Sequence, residues 1–311
     1  MALETPILFC IFNRPQVTSQ VFEAIAAQKP KILLVVQDGP RSDHPEDQQK
    51  TKQARAIINR VDWDCDVRTN ISATNLGCKQ RMATGITWAF AQFERLIILE
   101  DDCLPSASFF PYCETLLERF ADDERIMTIS GDNFQSTKRG PYSYYFSKWT
   151  HIWGWASWRR AWNHFDVDVA SWPDIRKSQI LKKLSCESAE QKHWQQLFNQ
   201  QYAGAINTWD FPWMYANWVN NGLTVLPNVN LVSNLGFGPD ATHTQDPASK
   251  LANMACHQLD QLSHPPHVIR DTEADRMSWH RLFKPANQST VTGTPKQKPK
   301  WLRRFLPKSA A

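Results

Sequence analysis

Between Arg95 and Asp102 the chain reads Arg-Leu-Ile-Ile-Leu-Glu-Asp-Asp, so four apolar residues run straight into three consecutive acids. A short apolar run bounded by polar residues has the signature of a buried central strand. Acids crowded at its carboxyl end repel one another and are costly to bury unpaired. A hard divalent cation relieves both problems, because carboxylate oxygens suit Mg²⁺ or Mn²⁺. In open α/β sheets ligands bind just beyond the carboxyl ends of the strands. The segment therefore predicts a strand-end metal site of the kind that holds a substrate diphosphate. The competing readings are a solvated turn, or Asp102 as the cap of a helix starting near Ser106.

The first half of the chain repeats the pattern of strand followed by helix. Ile7 to Phe12, Lys31 to Gln37, Val67 to Ile71 and Leu96 to Leu99 read as strands, and Ile126 to Ile129 as a shorter one. Helical spacing appears over Val17 to Ala27, Glu46 to Arg60, Lys79 to Phe93 and Phe109 to Phe120. This alternation predicts an α/β fold with a mainly parallel sheet flanked by helices. The early strands end in polar residues, Asn13-Arg14, then Gln37-Asp38-Gly39, then the acid triplet, and these ends should line one crevice. Beyond Gly140 tryptophan dominates, with six of the 14 between Trp149 and Trp172.

Charge and composition narrow the class. The net charge of +4 hides an asymmetry: nine of the 35 bases and none of the 31 acids follow Asp275, so residues 1–275 sum to −5. That argues against a broad nucleic-acid-binding face. No apolar run is long enough to span a bilayer and no signal-peptide core follows Met1, which predicts a cytoplasmic protein. Seven scattered cysteines without a CxxC pair agree with that compartment. Residues 284–311 read as a basic tail. Within it, 296–308 places Trp301, Leu302, Phe305 and Leu306 on one stripe beside six bases, a pattern that suits the surface of an anionic membrane as well as it suits a solvated tail.

Neither GxGxxG nor GxxxxGK[ST] occurs, which disfavours a dinucleotide dehydrogenase or a P-loop enzyme, and the lack of a glycine-rich first loop disfavours a sugar-activating nucleotidyltransferase as well. A metal-bridged diphosphate, helped by Arg14, Lys79 or Arg81, needs no glycine-rich loop. Arg14 reads equally as a surface arginine before a helix-starting proline. Asp38 either shapes the turn Gln37-Asp-Gly-Pro40 or accepts the imide hydrogen of a uracil ring. Trp155, Trp158 and Trp162 at i, i+3 and i+7 predict one face of a helix. They read as core, whereas Trp153 or Trp155 could instead form a platform for an acceptor sugar. Asp210, in Thr208-Trp-Asp-Phe-Pro-Trp213, is either the cap of a helix over Phe211 to Asn220 or a base in apolar surroundings. His243 sits in a glycine-bearing polar loop, Asn234 to Thr244, that has the composition of a lid.

Taken in order, these motifs resemble the GT-A class of nucleotide-sugar glycosyltransferases. The nearest likeness is to the N-acetylglucosaminyltransferases that initiate complex N-glycans and to bacterial relatives termed family-two-like or haemolytic-protein-like. The motifs are Phe12-Asn-Arg-Pro15, Val36-Gln-Asp-Gly39, Asn75-Leu-Gly77, Leu99-Glu-Asp-Asp102 with Phe109-Phe-Pro-Tyr112, Ser130-Gly-Asp-Asn133, Gly154-Trp155 and Trp209-Asp210. The resemblance implies that Arg14 and Asp38 contact the nucleotide and that Glu100-Asp101-Asp102 is a variant DXD motif. Asp102 would ligate Mn²⁺ or Mg²⁺, with Glu100 and Asp101 touching ribose and donor sugar. Lys79, Arg81 and His243 would complete the donor side. Asp210 would be the catalytic base, and Asp132, Trp153 and Trp155 would face the acceptor. The Gly236 to His243 loop would close over the diphosphate. Two departures stand out: the membrane anchor of the eukaryotic enzymes is missing, and Arg81-Met82 replaces their arginine followed by a polar residue.

The reading that follows is one GT-A body over 1–283, with a nucleotide-binding half near 1–135 and an acceptor half near 136–283, and a tail over 284–311. The expected activity is metal-dependent inverting transfer from a nucleotide-diphosphate sugar, with UDP as the expected nucleotide, to a saccharide or glycolipid acceptor in bacterial polysaccharide biosynthesis. A non-catalytic carbohydrate-binding protein on this scaffold, or a scaffold attached to the inner face of the plasma membrane through the tail, are the alternatives.

Overall fold

The computed structural model describes residues 3–237, 249–259 and 261–283. His243 and the tail, including 296–308, lie outside the described residues. In chain order the elements are β1 (Ile7–Ile11), α1 (Pro15–Ala26), β2 (Ile32–Gln37), α2 (Asp47–Ala56), β3 (Asp66–Ile71), α3 (Gly77–Phe90) and β4 (Arg95–Glu100). There follow β5 (Cys103–Pro105), α4 (Phe109–Arg119), β6 (Ile126–Ser130), β7 (Tyr144–Ser147), β8 (Trp155–Trp158) and α5 (Arg159–Trp162). The remainder is α6 (Trp172–Lys177), α7 (Ile180–Leu184), α8 (Ser188–Tyr202), α9 (Asp210–Val219), β9 (Leu223–Pro227), β10 (Val232–Asn234) and α10 (Thr272–Ser278).

Eight strands form one sheet in the order β3-β2-β1-β4-β8-β6-β9-β7. All run the same way except β7 and β8, which pair antiparallel with their neighbours. The fold is thus α/β and Rossmann-like, with a mostly parallel sheet between helices. Its register matters for function. Cys10 lies beside Glu100 and Ile11 beside Gln37, so β1, β2 and β4 finish level at one edge.

Alternate side chains of each central strand feed two cores, as a pleated strand requires. Phe9, Val35, Ile97 and Leu99 pack with Val21, Phe22 and Ile25 of α1 and with Leu116 and Leu117 of α4. Leu8, Leu34, Val36, Leu96 and Ile98 face Met82, Ile86 and Phe90 of α3 and Trp213 of α9. A third core lies among the later helices, where Trp149, Trp172, Trp194, Phe198, Trp218 and Trp279 meet. The helices α6, α7 and α8 that contribute to it were not expected from the sequence pattern, nor was α10.

The predicted tryptophan helix is corrected. Trp155 and Trp158 belong to β8, and only Arg159–Trp162 is helical. Three residues apart on a strand, the two rings point to opposite faces. Trp155 joins the α3 side of the sheet and Trp158 the α1–α4 side. The run Val225 to Ser233, whose sequence is strand-like throughout, is divided between two sheets. Its first part, β9, stays in the large sheet, whereas β10 turns away to pair with β5.

Candidate active site

The site forms where β1 and β4 end. Asp101 is almost completely buried and spends both oxygens internally. One accepts the backbone N–H of Phe12 at 3.1 Å and the other pairs with the Arg14 guanidinium. Arg14 reaches on to Asp102, with 2.9 Å between Nη1 and Oδ2. The two carboxylates outweigh the desolvation of the arginine and raise its pKa. Pro15 at the first position of α1 and the Thr18 hydroxyl on the Arg14 carbonyl, at 2.7 Å, fix the backbone that carries this arginine. Both Asp101 oxygens thus already have protein partners. Asp102 is the triplet's accessible aspartate, its side chain 14% exposed.

Glu100 is partly buried at the end of β4. Burial, then the charges of Asp102 and Asp101, push its carboxyl up to about 8, and Asp210 adds to the effect. Asp210 is thus near enough for its charge to be felt at Glu100. It does not cap α9 with its side chain. The helix begins at Asp210 itself, with Trp209 at the cap position, and the Thr208 hydroxyl donates to the Asp210 carboxylate. Gly77, at φ +77°, opens α3 against the same loop: a Cβ there would lie 3.6 Å from Asn207 Nδ2. Next to it is Cys78, which the sequence reading passed over. Burial raises its thiol, and Glu100, Asp210, Asp38 and Asp102 raise it further. The charges of these four carboxyl groups are all felt at Cys78, near the start of α3.

The chain then returns to cover the acids. β10 pairs with β5, setting Asn234 opposite Cys103, and the Leu235 N–H donates to the Asp102 carbonyl at 2.7 Å. The Asn234 side chain accepts the Gly236 N–H at 2.7 Å. Gly236 is pressed so closely onto the site that a Cβ there would stand 1.9 Å from Asp102 Oδ2 and 3.0 Å from Arg14 Nη1. The expected lid thus starts directly on the acid triplet, and its course from residue 238 to 248 lies outside the described residues.

Other expected site residues turn out to hold the scaffold. The Asp38 carboxylate accepts the N–H groups of Gly39, Leu76 and Gly77, each at 2.9 Å, and the Asn75 amide at 3.1 Å. A carboxylate offers about four lone-pair sites, so these donors fill it, and Asp38 locks β2 to the start of α3 rather than awaiting a base. Arg81 is buried and grips Asn70 through its carbonyl at 2.7 Å and its side chain at 2.8 Å, bracing α3 to β3. Lys79 pairs with Asp168 at 2.9 Å. Asp132 is buried, where its carboxylate accepts the Ser130 hydroxyl at 2.7 Å and the Trp153 N–H. It anchors the Trp153 loop and does not reach an acceptor. Trp155 is fully buried against Trp209 and Trp213, each 5.7 Å away, and offers no face to a sugar. Trp153 alone of the expected aromatic platform stays partly open, edge-on to Phe134 at 5.2 Å and Phe237 at 5.7 Å.

Among the described residues no group of three or more His, Cys, Asp or Glu side chains could hold a metal ion by itself. Mg²⁺-type ions at phosphate sites commonly take one or two protein carboxylates, with water and substrate phosphate supplying the rest. Asp102, with an oxygen beyond the one that Arg14 engages, fits that donor set.

No family model matches the sequence, and no curated protein matches it. Among solved structures, the chain is similar to a UDP-glucose pyrophosphorylase complexed with UDP-glucose, at 14% identity and a TM-score of 0.26, covering 46% of this chain and 62% of that one. It thus spans less than two thirds of that enzyme's length. It is also similar to a mannose-1-phosphate geranyltransferase from Thermus thermophilus, at 12% identity and a TM-score of 0.32, over 65% of this chain and 68% of that one.

Proposed function

We propose that this chain is a metal-dependent inverting glycosyltransferase of the GT-A type. It would move a sugar from a nucleotide-diphosphate sugar, with UDP as the carrier, to a saccharide hydroxyl. The body would be 1–283, its donor half near 1–135 and its acceptor half near 136–283. The observation that carries the reading is Asp102 held by Arg14 with Gly236 folded over both, and Asp210 near enough for its charge to be felt at Glu100 and Cys78.

Each part has a task. Arg14 keeps a positive charge beside the leaving diphosphate and holds Asp102 in place. Mn²⁺ or Mg²⁺, when bound at Asp102, offsets the charge that builds on that diphosphate. Asp210 takes the proton of the acceptor hydroxyl as its oxygen attacks the anomeric carbon from the far side. Gly236, packed against Asp102 and Arg14, shields both from water. Glu100 supports the ribose end of the donor.

Asp102→Ala is the decisive test. It removes the accessible carboxylate and leaves Arg14 paired with Asp101. Calorimetry should find Mn²⁺-dependent UDP binding abolished. Unchanged UDP affinity in the presence of Mn²⁺ would end the assignment.

A further inference from the structure

A cavity of about 370 Å³ opens over β6 and β9, on the sheet edge that carries the acid triplet. That volume falls in the usual range for small-molecule sites, roughly 300–1,000 Å³. β4 and β6 are two strand spacings apart, so the cavity begins roughly 10 Å from Asp102. The ground between is aromatic. Phe237, just past Gly236, meets Trp153, and Trp153 meets Phe134, whose neighbours line the cavity.

The walls are rigid and the rim is charged. Asn228 accepts the Arg139 N–H at 2.7 Å and Asn230 accepts the Asn133 N–H at 3.1 Å, which ties the two lining loops together. Lys138, His257 and Arg281 stand at the rim, and no acid is among the lining residues. Arg281 is fixed there by donating to the Phe134 carbonyl at 2.6 Å. Among the described residues neither Lys138 nor Arg281 has an acidic partner. Arg139 next door differs, since Asp271 and Glu273 take up its charge. In a body whose residues 1–275 sum to −5, a concave basic rim without acids selects for negative charge.

We propose that this cavity binds an anionic sugar unit of the acceptor, one bearing a carboxylate or a phosphate, while the neutral part of the glycan crosses Trp153 toward Asp210. The proposal rests on the transferase reading for the word acceptor, and its binding test does not depend on that reading. Glucuronate, glucose 6-phosphate, glucose and inorganic phosphate are titrated into the full chain and into the K138Q/R281Q variant, with UDP and Mn²⁺ titrated separately into both. Both acidic sugars should bind at least about ten-fold more tightly than glucose, weaken with salt, and lose about ten-fold or more in the variant, whose UDP affinity and melting temperature stay unchanged. Equal binding of acidic and neutral sugars, or acidic-sugar binding that survives in the variant, would overturn the proposal. Inorganic phosphate binding as tightly as glucose 6-phosphate would reduce the site to a simple anion site and overturn it too. Loss of UDP binding in the Asp102→Ala protein bears on the transferase reading alone, so the two can fail separately.

Discussion

An ionised carboxylate at Asp132 lacks the water that would stabilise it. Burial raises its pKa to about 7, against the pull of the Ser130 hydroxyl and the Trp153 N–H. The folded chain therefore holds this proton more tightly than the unfolded chain does. Its contribution to stability is intact below about pH 4, fades as pH rises toward 7, and is gone above, a swing of up to about 4 kcal/mol. Asp132→Asn cannot ionise, so its stability relative to wild type should improve by a few kcal/mol between pH 4.5 and pH 8 in denaturant titrations. A difference that does not vary with pH would show that the carboxyl is not penalised. At Asp210 the expected change is catalytic. Asp210→Asn keeps the shape and can keep the Thr208 contact, but it cannot take a proton. Transfer should fall by roughly 100- to 10,000-fold, with UDP affinity near wild type, and an Asn variant of full activity would leave Asp210 as the first residue of a helix and nothing more.

The strands β1, β2 and β4 are the elements most legible in the chain, because strands covered on both faces read as unbroken apolar runs. Trp155 to Trp162 is ambiguous for a physical reason: rings three residues apart suit a helix face or the two faces of a strand equally. The pairing of β8 between β4 and β6, a long-range event, decides it. α8 escaped notice because its buried side includes Glu190 and Gln201 as well as Trp194, Leu197 and Phe198, which blurs the apolar stripe. At the site, acids could be found by type but not by partner. Asp38, Asp101 and Asp102 look alike on paper, and only the fold shows that N–H donors fill the first and that Phe12 and Arg14 engage both oxygens of the second. The docking of β10 on β5 was hidden by the apparent continuity of Val225 to Ser233. It yields a prediction of its own. Gly236→Ala sets a methyl group into Asp102, so either the loop or the carboxylate must move. Mn²⁺-dependent UDP affinity should drop by about ten-fold or more while the melting temperature changes little, and an unaltered affinity would detach this loop from donor binding.

The whole molecule is held at its far side by charge as well as by rings. Lys148 and Glu190 form a buried ion pair inside the third core, and the ammonium also lies over Trp149 at 4.7 Å and Trp218 at 5.4 Å. Burial lowers the Lys148 pKa and Glu190 pulls it back. Removing one partner strands the other. Glu190→Ala should cost about 3 kcal/mol or more, whereas the K148M/E190M pair should recover most of that loss. Equal losses in both proteins, measured by denaturant unfolding, would mean that packing rather than charge is at stake. Among the described residues no helix is long and apolar enough to cross a membrane. β8 has a wider consequence. It comes from the later part of the chain, yet it fills the slot between β4 and β6 of the earlier part. Residues 1–135 cut free would leave one edge of β4 and both edges of β6 unpaired, an invitation to aggregate. Gene fusion or domain shuffling could therefore replace the chain beyond residue 135 only with a newcomer that brought a strand of matching register for that slot.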